Sequence, residues 1–320
     1  MKVFITGICG FVGSHLADYI LENHPEVEIS GLKRWRSPMD NISHIQDRLN
    51  LIDGDLQDLS SMIGIMREVK PDWISHLAAQ SYVPYSYSVP TETLTTNIIG
   101  TVNLLEAIRI AVIDTRIHIT SSSECYGQVT EDDIPITENC RFRPASPYAV
   151  SKVGEDMLAY MYHQAYGLKT IRSRVFTTTG PRRGEVFVVS AFAKQIARIE
   201  KGIQEPVLKV GNLDSVRTFC DVRDMVRAIW LLLEFGELGG VYNIGGNRTM
   251  TVERMLNQLL THSPKGNSIM VEVDRKLLRP ADVTLQIPDC TRFKKLTQWE
   301  PTIPFSKTLE DILNYWRERV

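Results

Sequence analysis

The sequence predicts an α/β protein, in which a doubly wound parallel sheet is joined by a smaller, interleaved C-terminal α+β lobe. Over the first two-thirds of the 320 residues, fully apolar, β-rich segments alternate with amphipathic helical segments. This alternation is typical of a parallel sheet that helices cover on both faces. A glycine-rich turn joins the first strand to the first helix. Beyond about residue 176 the alternation loosens, which indicates the smaller lobe.

The first part of the chain supplies the strands of the predicted sheet, with helices between them. The strands are expected at 2–6, 27–32, 49–52, 73–77, 116–120 and 170–175. The helices are expected at 11–21, 59–69, 91–111 and 147–166.

The rest of the chain mixes helices with short strands. Helices are expected at 187–201, 221–234, 252–260, 291–297 and 305–317, and strands at 207–210, 241–244 and 269–271. This mixture predicts a lobe that is interleaved with the sheet.

Composition and charge exclude several classes of protein. The net charge is −2, so we expect no general attraction to nucleic acid or to an anionic membrane. The apolar run at 228–233 is too short to span a bilayer, and the N-terminal segment does not resemble a signal peptide. The five cysteines are scattered and show no CxxC spacing, so we expect neither a metal site nor a disulfide framework. We therefore expect a cytoplasmic protein with reduced thiols.

Three glycines, Gly7, Gly10 and Gly13, follow the first predicted strand and open the first predicted helix. At such a turn the backbone N–H groups and the helix N-terminus bind the pyrophosphate of a dinucleotide. Phe11 and Val12 lie between the last two glycines and are expected in the same cradle. A preceding strand and a following helix are the context that a Rossmann fingerprint requires, and the alternative is an ordinary glycine-rich turn.

The end of the second strand decides between NAD and NADP. NAD-binding sites usually place an acidic residue there, which binds the ribose 2′-hydroxyl. This chain has Lys33, Arg34 and Arg36 instead, which would attract a 2′-phosphate, so we expect NADP(H). The alternative is a solvated basic loop. Asp55 and Leu56, after the third strand, are expected to meet the adenine, and Asp55 could equally be a turn aspartate.

A tyrosine and a lysine lie one helical turn apart near the start of a predicted helix. Lys152 is four residues after Tyr148, so both side chains project from the same helix face. A free tyrosine has a pKa of about 10. The ammonium group and the positive charge of a nicotinamide favour the phenolate and bring its pKa towards working pH. The pair predicts a general base that removes a hydroxyl proton.

Polar residues at the end of the fifth predicted strand complete the predicted site. Ligands of open α/β sheets bind at this carboxyl edge. Ser122 is expected to hydrogen-bond the reacting oxygen. Glu124 is a carboxylate that a simple alcohol dehydrogenase does not need, whereas a dehydratase needs one to move protons. The alternative for Glu124 is a structural hydrogen-bonding role.

Four motifs carry a resemblance to a known superfamily. They are Gly7-x-x-Gly10-Phe-x-Gly13, His76-Leu-Ala-Ala79, the segment 121–127 and Tyr148-x-x-x-Lys152. With them the chain resembles the extended short-chain dehydrogenases/reductases of the NAD-dependent epimerase/dehydratase type. Within these it is most similar to GDP-mannose 4,6-dehydratases and GDP-4-keto-6-deoxymannose reductases. The similarity covers essentially the whole chain, including the segments 181–185, 211–217, 279–283 and 299–301.

The resemblance implies the reaction of a nucleotide-sugar 4,6-dehydratase. Tyr148, helped by Lys152 and Ser122, would deprotonate the sugar C4 hydroxyl while NADP⁺ takes the C4 hydride. Glu124 would remove the C5 proton and help water to leave from C6, and the hydride would return to C6. The product is a 4-keto-6-deoxy sugar, and the tightly bound NADP is recycled.

The resemblance also implies which residues bind the ligands. Leu77, Ala78 and Ala79 are expected to contact the cofactor, together with Tyr148 and Lys152. Residues from several segments are expected to contact a GDP-linked nucleotide sugar: Gln80, Ser81, Ser122, Ser123, Glu124, Thr177, Arg183, Glu185, Arg217, Arg279 and Asp282. Arg217 and Arg279 suit a diphosphate, because guanidinium groups match phosphate oxygens, although either could equally be a surface salt-bridge arginine.

The same resemblance divides the chain by function. Residues 1–175 are expected to form an NADP-binding Rossmann domain, to which 212–235 return. Residues 176–320 are expected to form mainly the nucleotide-sugar-binding lobe. A homodimer or homotetramer is implied, with 92–108 and 147–162 as candidate interface helices.

Departures from the family leave the substrate open. Thr177 stands where the family usually has asparagine, a lysine common in dehydratases is not matched at 188–191, and the chain is nearer to the reductases in length. The leading expectation is a GDP-mannose 4,6-dehydratase. The alternatives are an NADPH-dependent reductase of GDP-4-keto-6-deoxymannose and another nucleotide-sugar epimerase or decarboxylase. A dinucleotide-sensing regulator on the same fold is a further alternative, although such proteins typically lose the Tyr and Lys that this chain has.

Overall fold

Strands and helices alternate along the chain, and the computed structural model describes residues 1–278, 281 and 283–320. The strands are β1 (Lys2–Thr6), β2 (Glu28–Lys33), β3 (Asn50–Asp53), β4 (Trp73–His76), β5 (Arg116–Ser122), β6 (Lys169–Val175), β7 (Thr178–Thr179), β8 (Val207–Val210), β9 (Val216–Asp221), β10 (Val241–Ile244), β11 (Arg248–Thr251), β12 (Met270–Val273) and β13 (Leu285–Gln286). The helices are α1 (Phe11–Asn23), α2 (Leu59–Val69), α3 (Val83–Ser88), α4 (Pro90–Leu94), α5 (Gly100–Ala111), α6 (Pro147–Tyr166), α7 (Val188–Glu200), α8 (Val222–Phe235), α9 (Val252–Leu260), α10 (Thr291–Thr297) and α11 (Phe305–Arg317).

A seven-stranded parallel sheet forms the centre of the molecule. Its strand order is β10-β6-β5-β4-β1-β2-β3. The strand order reverses between β1 and β4. Open α/β sheets bind their ligands in the crevice at such a reversal, outside the carboxyl ends of the strands. Because the strands are parallel, their carboxyl ends meet at one edge. The predicted doubly wound α/β fold is confirmed.

Helices cover both faces of this sheet. On one face α1 and α8 pack together, and their core includes Leu16 and Trp230. On the other face α2, α5 and α6 pack on the sheet, with Met62 and Leu104 fully buried. The strands are apolar on both sides for this reason, which is the pattern that the sequence shows.

The smaller lobe has a core of its own. Helices α7, α9 and α11 pack against each other and against β8 and β9, around residues such as Phe192, Met255 and Leu309. Strand β9 pairs antiparallel with β11 and parallel with β13 and β7, and β8 pairs with β12. All four partners of β9 and β8 are short, from two to four residues.

One strand lies elsewhere than predicted. The sequence placed 241–244 in the smaller lobe, but β10 pairs with β6 and extends the central sheet. A short apolar run does not specify its partner, so tertiary pairing decided its place. Helix α10 contacts both β10 and α8, so the chain crosses between sheet and lobe more often than predicted. The functional division at residue 175 stays a prediction.

The predicted helix over 91–111 is interrupted. Helix α4 passes through a π-helical turn at Thr95–Ile99 before α5 begins. A π turn accommodates an extra residue and is often found at functional sites. Asn97 lies in this turn, fully buried, and its side chain bonds to Gln80 and Ser151. The interruption therefore ties the loop after β4 to helix α6.

A buried ion-pair cluster fixes α6 to the sheet. Asp156 on α6 accepts from Arg172 Nη1 at 2.9 Å and from Arg174 Nε at 2.8 Å, both on β6. All three side chains are almost completely buried. Each charge has a partner of opposite sign, so removing the shared carboxylate would leave two buried guanidinium groups uncompensated.

We expect Asp156→Ala to lower the free energy of unfolding by about 3–5 kcal/mol, because it leaves buried charges without their counterion. Thermal and urea unfolding followed by circular dichroism measure the change. Glu310→Ala is the control, because Glu310 and Lys307 form a solvent-exposed pair on α11 whose loss should cost below about 1 kcal/mol. Equal losses in the two variants would contradict the assigned role of the cluster.

Candidate active site

The glycine turn after β1 is held by backbone contacts too close for side chains. Gly7 has φ of +73°, and the Gly10 N–H donates to Gly7 O at 2.9 Å. A Cβ on Gly13 would lie 2.2 Å from Gly7 O, and one on Gly7 would lie 2.9 Å from Ala78 N. Helix α1 begins directly after this turn, at Phe11. The turn thus presents the N–H groups of a helix start, which suit a pyrophosphate.

The basic residues predicted to bind a 2′-phosphate differ in their surroundings. Lys33 Nζ lies 2.5 Å from Asp53 Oδ1, on the neighbouring strand β3. The negative charge of Asp53, which was not predicted from the sequence, offsets part of the positive charge of Lys33. Arg34 and Arg36 are exposed on the loop after β2, and the guanidinium of Arg36 lies 4.2 Å from the centre of the Trp35 ring. The loop remains basic at its tip.

The residues predicted to meet the adenine lie in the turn after β3. Asp55 Oδ1 accepts from the Gln57 N–H at 2.9 Å, which is the turn-forming role that the sequence left open. Leu56 is buried, and its carbonyl accepts from Asn103 Nδ2 at 2.8 Å.

The loop after β4 is fastened to the glycine turn. Thr6 Oγ1 accepts from the N–H groups of Leu77 and Ala78 at 3.1 and 3.2 Å. Ala79 follows, partly buried. Gln80, predicted to line the sugar pocket, uses its side-chain amide in contacts within the protein, accepting from Tyr82 N and donating to Thr93 Oγ1 on α4.

Ser81 is exposed beside Gln80 in this loop. Asn97, which sequence reasoning missed, accepts from the Gln80 N–H through Oδ1 and donates to the Gln80 carbonyl through Nδ2. Nothing in the sequence distinguishes it from Asn103, the other asparagine of the predicted helix 91–111.

Helix α6 presents the tyrosine and the lysine at the carboxyl edge of the sheet. Ser146 caps the helix by accepting from Ala149 N at 3.0 Å, and Pro147 is its first residue. Lys152 Nζ lies 6.0 Å from the centre of the Tyr148 ring. The same ammonium donates to Thr120 O at 2.9 Å and to Glu155 Oε2 at 3.0 Å.

Burial and charge act on Tyr148 in opposite directions. Burial raises the pKa of Tyr148, whereas Lys152 and a hydrogen bond with Ser122 lower it without cancelling the effect of burial. The predicted influence of Lys152 therefore has the expected sign, but it does not by itself bring the pKa below the usual value. A further positive charge would favour the phenolate.

The turn Ser123–Tyr126 places a carboxylate next to this pair. Ser122 Oγ accepts from the Glu124 N–H at 3.2 Å, which fixes the start of the turn. The charge of Glu124 acts on Tyr148 by raising its pKa, so the two groups lie within electrostatic reach. Glu124 is partly exposed, whereas Ser123 is buried.

A second missed residue is Gln286, on β13. Ser123 Oγ donates to Gln286 Oε1 at 3.0 Å. Gln286 is the register partner of Arg217 on β9, so a predicted substrate-binding arginine lies on the strand beside it. No motif marks Gln286, because this contact depends on a two-residue strand pairing far away in sequence.

Arg183 approaches the glycine turn from the smaller lobe. Its guanidinium lies 5.3 Å from the Phe11 ring centre and 4.2 Å from that of Phe187, and it donates to Thr178 O. Burial lowers the pKa of Arg183 to about 10, and Tyr148 opposes this shift. The structure therefore brings Arg183 together with the first residue of α1 and with Tyr148.

Other predicted substrate residues are spread along the lobe. Glu185 pairs with Lys194 and borders a cavity of about 390 Å³ that Arg198 and Gln204 also line. The Thr177 carbonyl accepts from Cys220 N at 2.9 Å. Arg279 and Asp282 lie outside the described residues.

Within the described residues, no three His, Cys, Asp or Glu side chains are grouped as a metal site would require. A search of the same residues for a helix both long and apolar enough to cross a membrane found none.

Known proteins resemble this chain over its whole length. The GDP-6-deoxy-D-mannose reductase of Pseudomonas aeruginosa is 32% identical over 319 residues, covering 100% of this chain and 98% of that protein. The GDP-mannose 4,6-dehydratase of Yersinia enterocolitica is 33% identical over 340 residues, covering 94% and 90%. The structure of RMD from Pseudomonas aeruginosa complexed with NADPH matches with a TM-score of 0.87 at 31% identity, covering 100% and 99%.

The family model described as GDP-mannose 4,6 dehydratase matches residues 4–312. This is a family of enzymes that act on nucleotide sugars and use NADP(H). The resemblance inferred from the motifs is confirmed: this chain belongs to the GDP-mannose 4,6-dehydratase family.

Proposed function

We propose that the chain is an NADP-dependent nucleotide-sugar 4,6-dehydratase with GDP-mannose as its substrate. One observation carries the proposal: Glu124 stands on the turn that begins at Ser122, within electrostatic reach of the Tyr148 and Lys152 pair. A carboxylate there can move a second proton, which oxidation of an alcohol alone does not require.

The protein residues would move two protons. Tyr148, as the phenolate, takes the proton of the sugar C4 hydroxyl, while Ser122 and Lys152 hold the phenol oxygen and its charge. Glu124 then takes the C5 proton and delivers a proton to the departing C6 oxygen. NADP, when bound, would supply the hydride acceptor for C4, the hydride donor for C6 and a positive charge that favours the phenolate, and the proton held by Tyr148 balances the reprotonation of C5.

The residues fit such a dinucleotide. The glycine turn leaves no room for side chains at Gly7 and Gly13, and a helix begins behind it. Arg34 and Arg36 are exposed at the end of β2 and suit a 2′-phosphate. In this proposal residues 1–175 and 212–235 serve the cofactor, and the rest of 176–320 mainly serves the nucleotide sugar.

The substrate contacts would come from both parts of the chain. Arg183 is placed beside Phe11 and suits a phosphate or the sugar end of the diphosphate. Arg217 lies on β9 next to the strand of Gln286, which bonds the catalytic turn. A location in the cytoplasm belongs to the same proposal, and cell fractionation tests it.

A reductase is the second candidate, because the similar Pseudomonas aeruginosa protein that covers all of this chain is named a GDP-6-deoxy-D-mannose reductase. Such an enzyme would use Tyr148 as an acid and would have no need of Glu124 as a base. The two functions differ in whether NADPH is consumed.

We expect the purified protein to convert GDP-mannose to a product lighter by one water without added NADPH, as measured by mass spectrometry. Glu124→Gln should lower this turnover by about 10²–10⁴-fold, because it removes the second proton transfer. Bound NADP⁺ should still become reduced in that variant, seen by nicotinamide absorbance, whereas Tyr148→Phe should block both events.

Glu131→Gln is the matched control, because Glu131 is an exposed glutamate in the segment that follows the turn. If the wild-type protein forms no product alone but reduces GDP-4-keto-6-deoxymannose with NADPH, the dehydratase proposal is wrong and the reductase stands.

We expect two different losses at the dinucleotide site. Gly13→Ala should weaken the binding of NADPH and of NADH to the same extent, because the alanine Cβ would displace Gly7 O from a turn that both cofactors use. Arg34→Ala should weaken the binding of NADPH by about tenfold, because charge-assisted hydrogen bonds to a 2′-phosphate are lost. The affinity for NADH, which has no 2′-phosphate, should stay nearly unchanged. Fluorescence titration measures both dissociation constants.

Gly64→Ala is the control for the glycine substitution. Gly64 lies in α2 with nothing within 4 Å of a built Cβ, so NADPH affinity should stay as in the wild type. Equal losses of NADPH and NADH affinity in Arg34→Ala would contradict recognition of a 2′-phosphate.

We also propose a homo-oligomer, supported by an apolar stripe on α6. Val150, Met157, Tyr160 and Met161 are between 39% and 46% exposed. Light scattering should give two or four times the chain mass, and Met161→Asp should shift the protein towards the monomer. Ile203→Asp is the control, because Ile203 is 52% exposed after α7 and lies outside both candidate interface helices. A monomeric wild-type protein would contradict the proposal.

A further inference from the structure

A buried carboxylate contacts the catalytic lysine. Glu155 follows Lys152 by one turn of α6 and is completely buried, with its Oε2 atom 3.0 Å from Lys152 Nζ. Its other oxygen, Oε1, has no hydrogen-bond partner within the described residues. Burying a carboxylate carries a desolvation cost, so its presence beside a functional ammonium needs an explanation.

Anchoring of α6 does not supply that explanation. The neighbouring Asp156 forms the ion pairs with Arg172 and Arg174 that hold the helix on β6. Glu155 instead pairs with Lys152, on its own helix. An apolar side chain of similar volume would fill the same space without the cost of burying a charge.

We propose that Glu155 is a positioning residue, which holds the Lys152 ammonium in place and offsets its charge, so that it sets the pH range in which Tyr148 transfers a proton. This rests on the proposed role of Tyr148 as the group that transfers the proton. Glu155 acts through Lys152 and does not itself touch the reacting atoms.

The charges around the pair support this assignment. On α6, Lys152 lowers the pKa of Tyr148, and Glu155 raises it. Burial lowers the pKa of Lys152, but Glu155 and Tyr148 outweigh it and leave that pKa raised. Burial raises the pKa of Glu155 to about 7, and Lys152 opposes this, so Glu155 carries its full negative charge above about pH 7.

The neighbouring elements add few competing charges. Strands β4 and β5 present His76 and His118, and burial lowers the pKa of each to about 3, so both are neutral at working pH. From the turn, burial raises the pKa of Cys125 to about 12, so its thiol is neutral as well. Glu124 and Asp156 are the remaining carboxylates that act on the pair, and the Arg183 guanidinium of the smaller lobe is a positive charge that interacts with Tyr148.

The sign of the effect follows from these charges. Removing the negative charge of Glu155 leaves the positive charge of Lys152 unopposed. The pKa of Tyr148 should then fall, and so should the pKa of Lys152, because both are raised by Glu155. Limits of activity that lie above about pH 7, where Glu155 is charged, should therefore move to lower pH.

The decisive experiment titrates Tyr148 in Glu155→Gln, which keeps the shape and a hydrogen-bond acceptor but no charge. The near-ultraviolet tyrosinate signal is recorded against pH with NADP⁺ bound. Because the chain has 11 tyrosines, the signal of the same protein carrying Tyr148→Phe is subtracted. We expect the midpoint for Tyr148 to fall by about one pH unit relative to the wild type.

Turnover of GDP-mannose against pH gives the second readout, and its acid limit should move down with the spectroscopic midpoint. Glu155→Leu repeats the test with an apolar side chain and covers the case in which the glutamine variant folds poorly. Glu200→Gln is the control, because Glu200 lies on α7 and pairs with Arg317.

An unchanged Tyr148 midpoint in both Glu155 variants, with only a change in melting temperature, would overturn the proposal. The spectroscopic test does not depend on the sugar substrate. If the wild-type protein proves inactive on GDP-mannose, the proposed function fails, while the shift of the Tyr148 midpoint still decides the role of Glu155.

Discussion

The ion-pair cluster around Asp156 is the interaction on which the active site depends. Asp156 joins helix α6 to strand β6 through Arg172 and Arg174. Arg174 also donates to Tyr126 Oη at 3.0 Å and to Glu138 O at 2.7 Å, and Tyr126 donates to Asn243 on β10. One carboxylate thus links the helix of Tyr148, the turn of Glu124 and the outer strand of the sheet. The relative positions of Tyr148 and Glu124, the proposed catalytic groups, are set from the protein interior.

The motifs that could be predicted from the sequence are those whose chemistry is local. The glycine turn needs glycine at position 7 for its φ of +73° and at position 13 because a Cβ there would meet Gly7 O, so the turn and its following helix are visible in one short segment. The spacing of Tyr148 and Lys152 is likewise a property of a single helix. Both predictions needed no knowledge of distant contacts, and the fold followed from the alternation of strands and helices.

The residues that escaped prediction act across the fold. Gln286 reaches Ser123 only because β13 pairs with β9, and Asn97 reaches Ser151 only because a π turn is packed against α6. The strand β10 was placed in the wrong part of the molecule for the same reason. Asp53 opposite Lys33 is another case, because it comes from the adjacent strand. Pairing between distant segments leaves no periodicity in the sequence, so these contacts required the structure.

The hydrogen bonds of Lys152 limit its freedom in a way that its charge alone does not reveal. An ammonium group has three N–H donors in fixed tetrahedral directions. One is directed at Thr120 O and another at Glu155 Oε2. A single donor is then left to serve any ligand, and its direction is determined by the other two. Lys152 can therefore donate to one correctly placed oxygen of a ligand, whereas a freely rotating lysine could donate to oxygens in many positions.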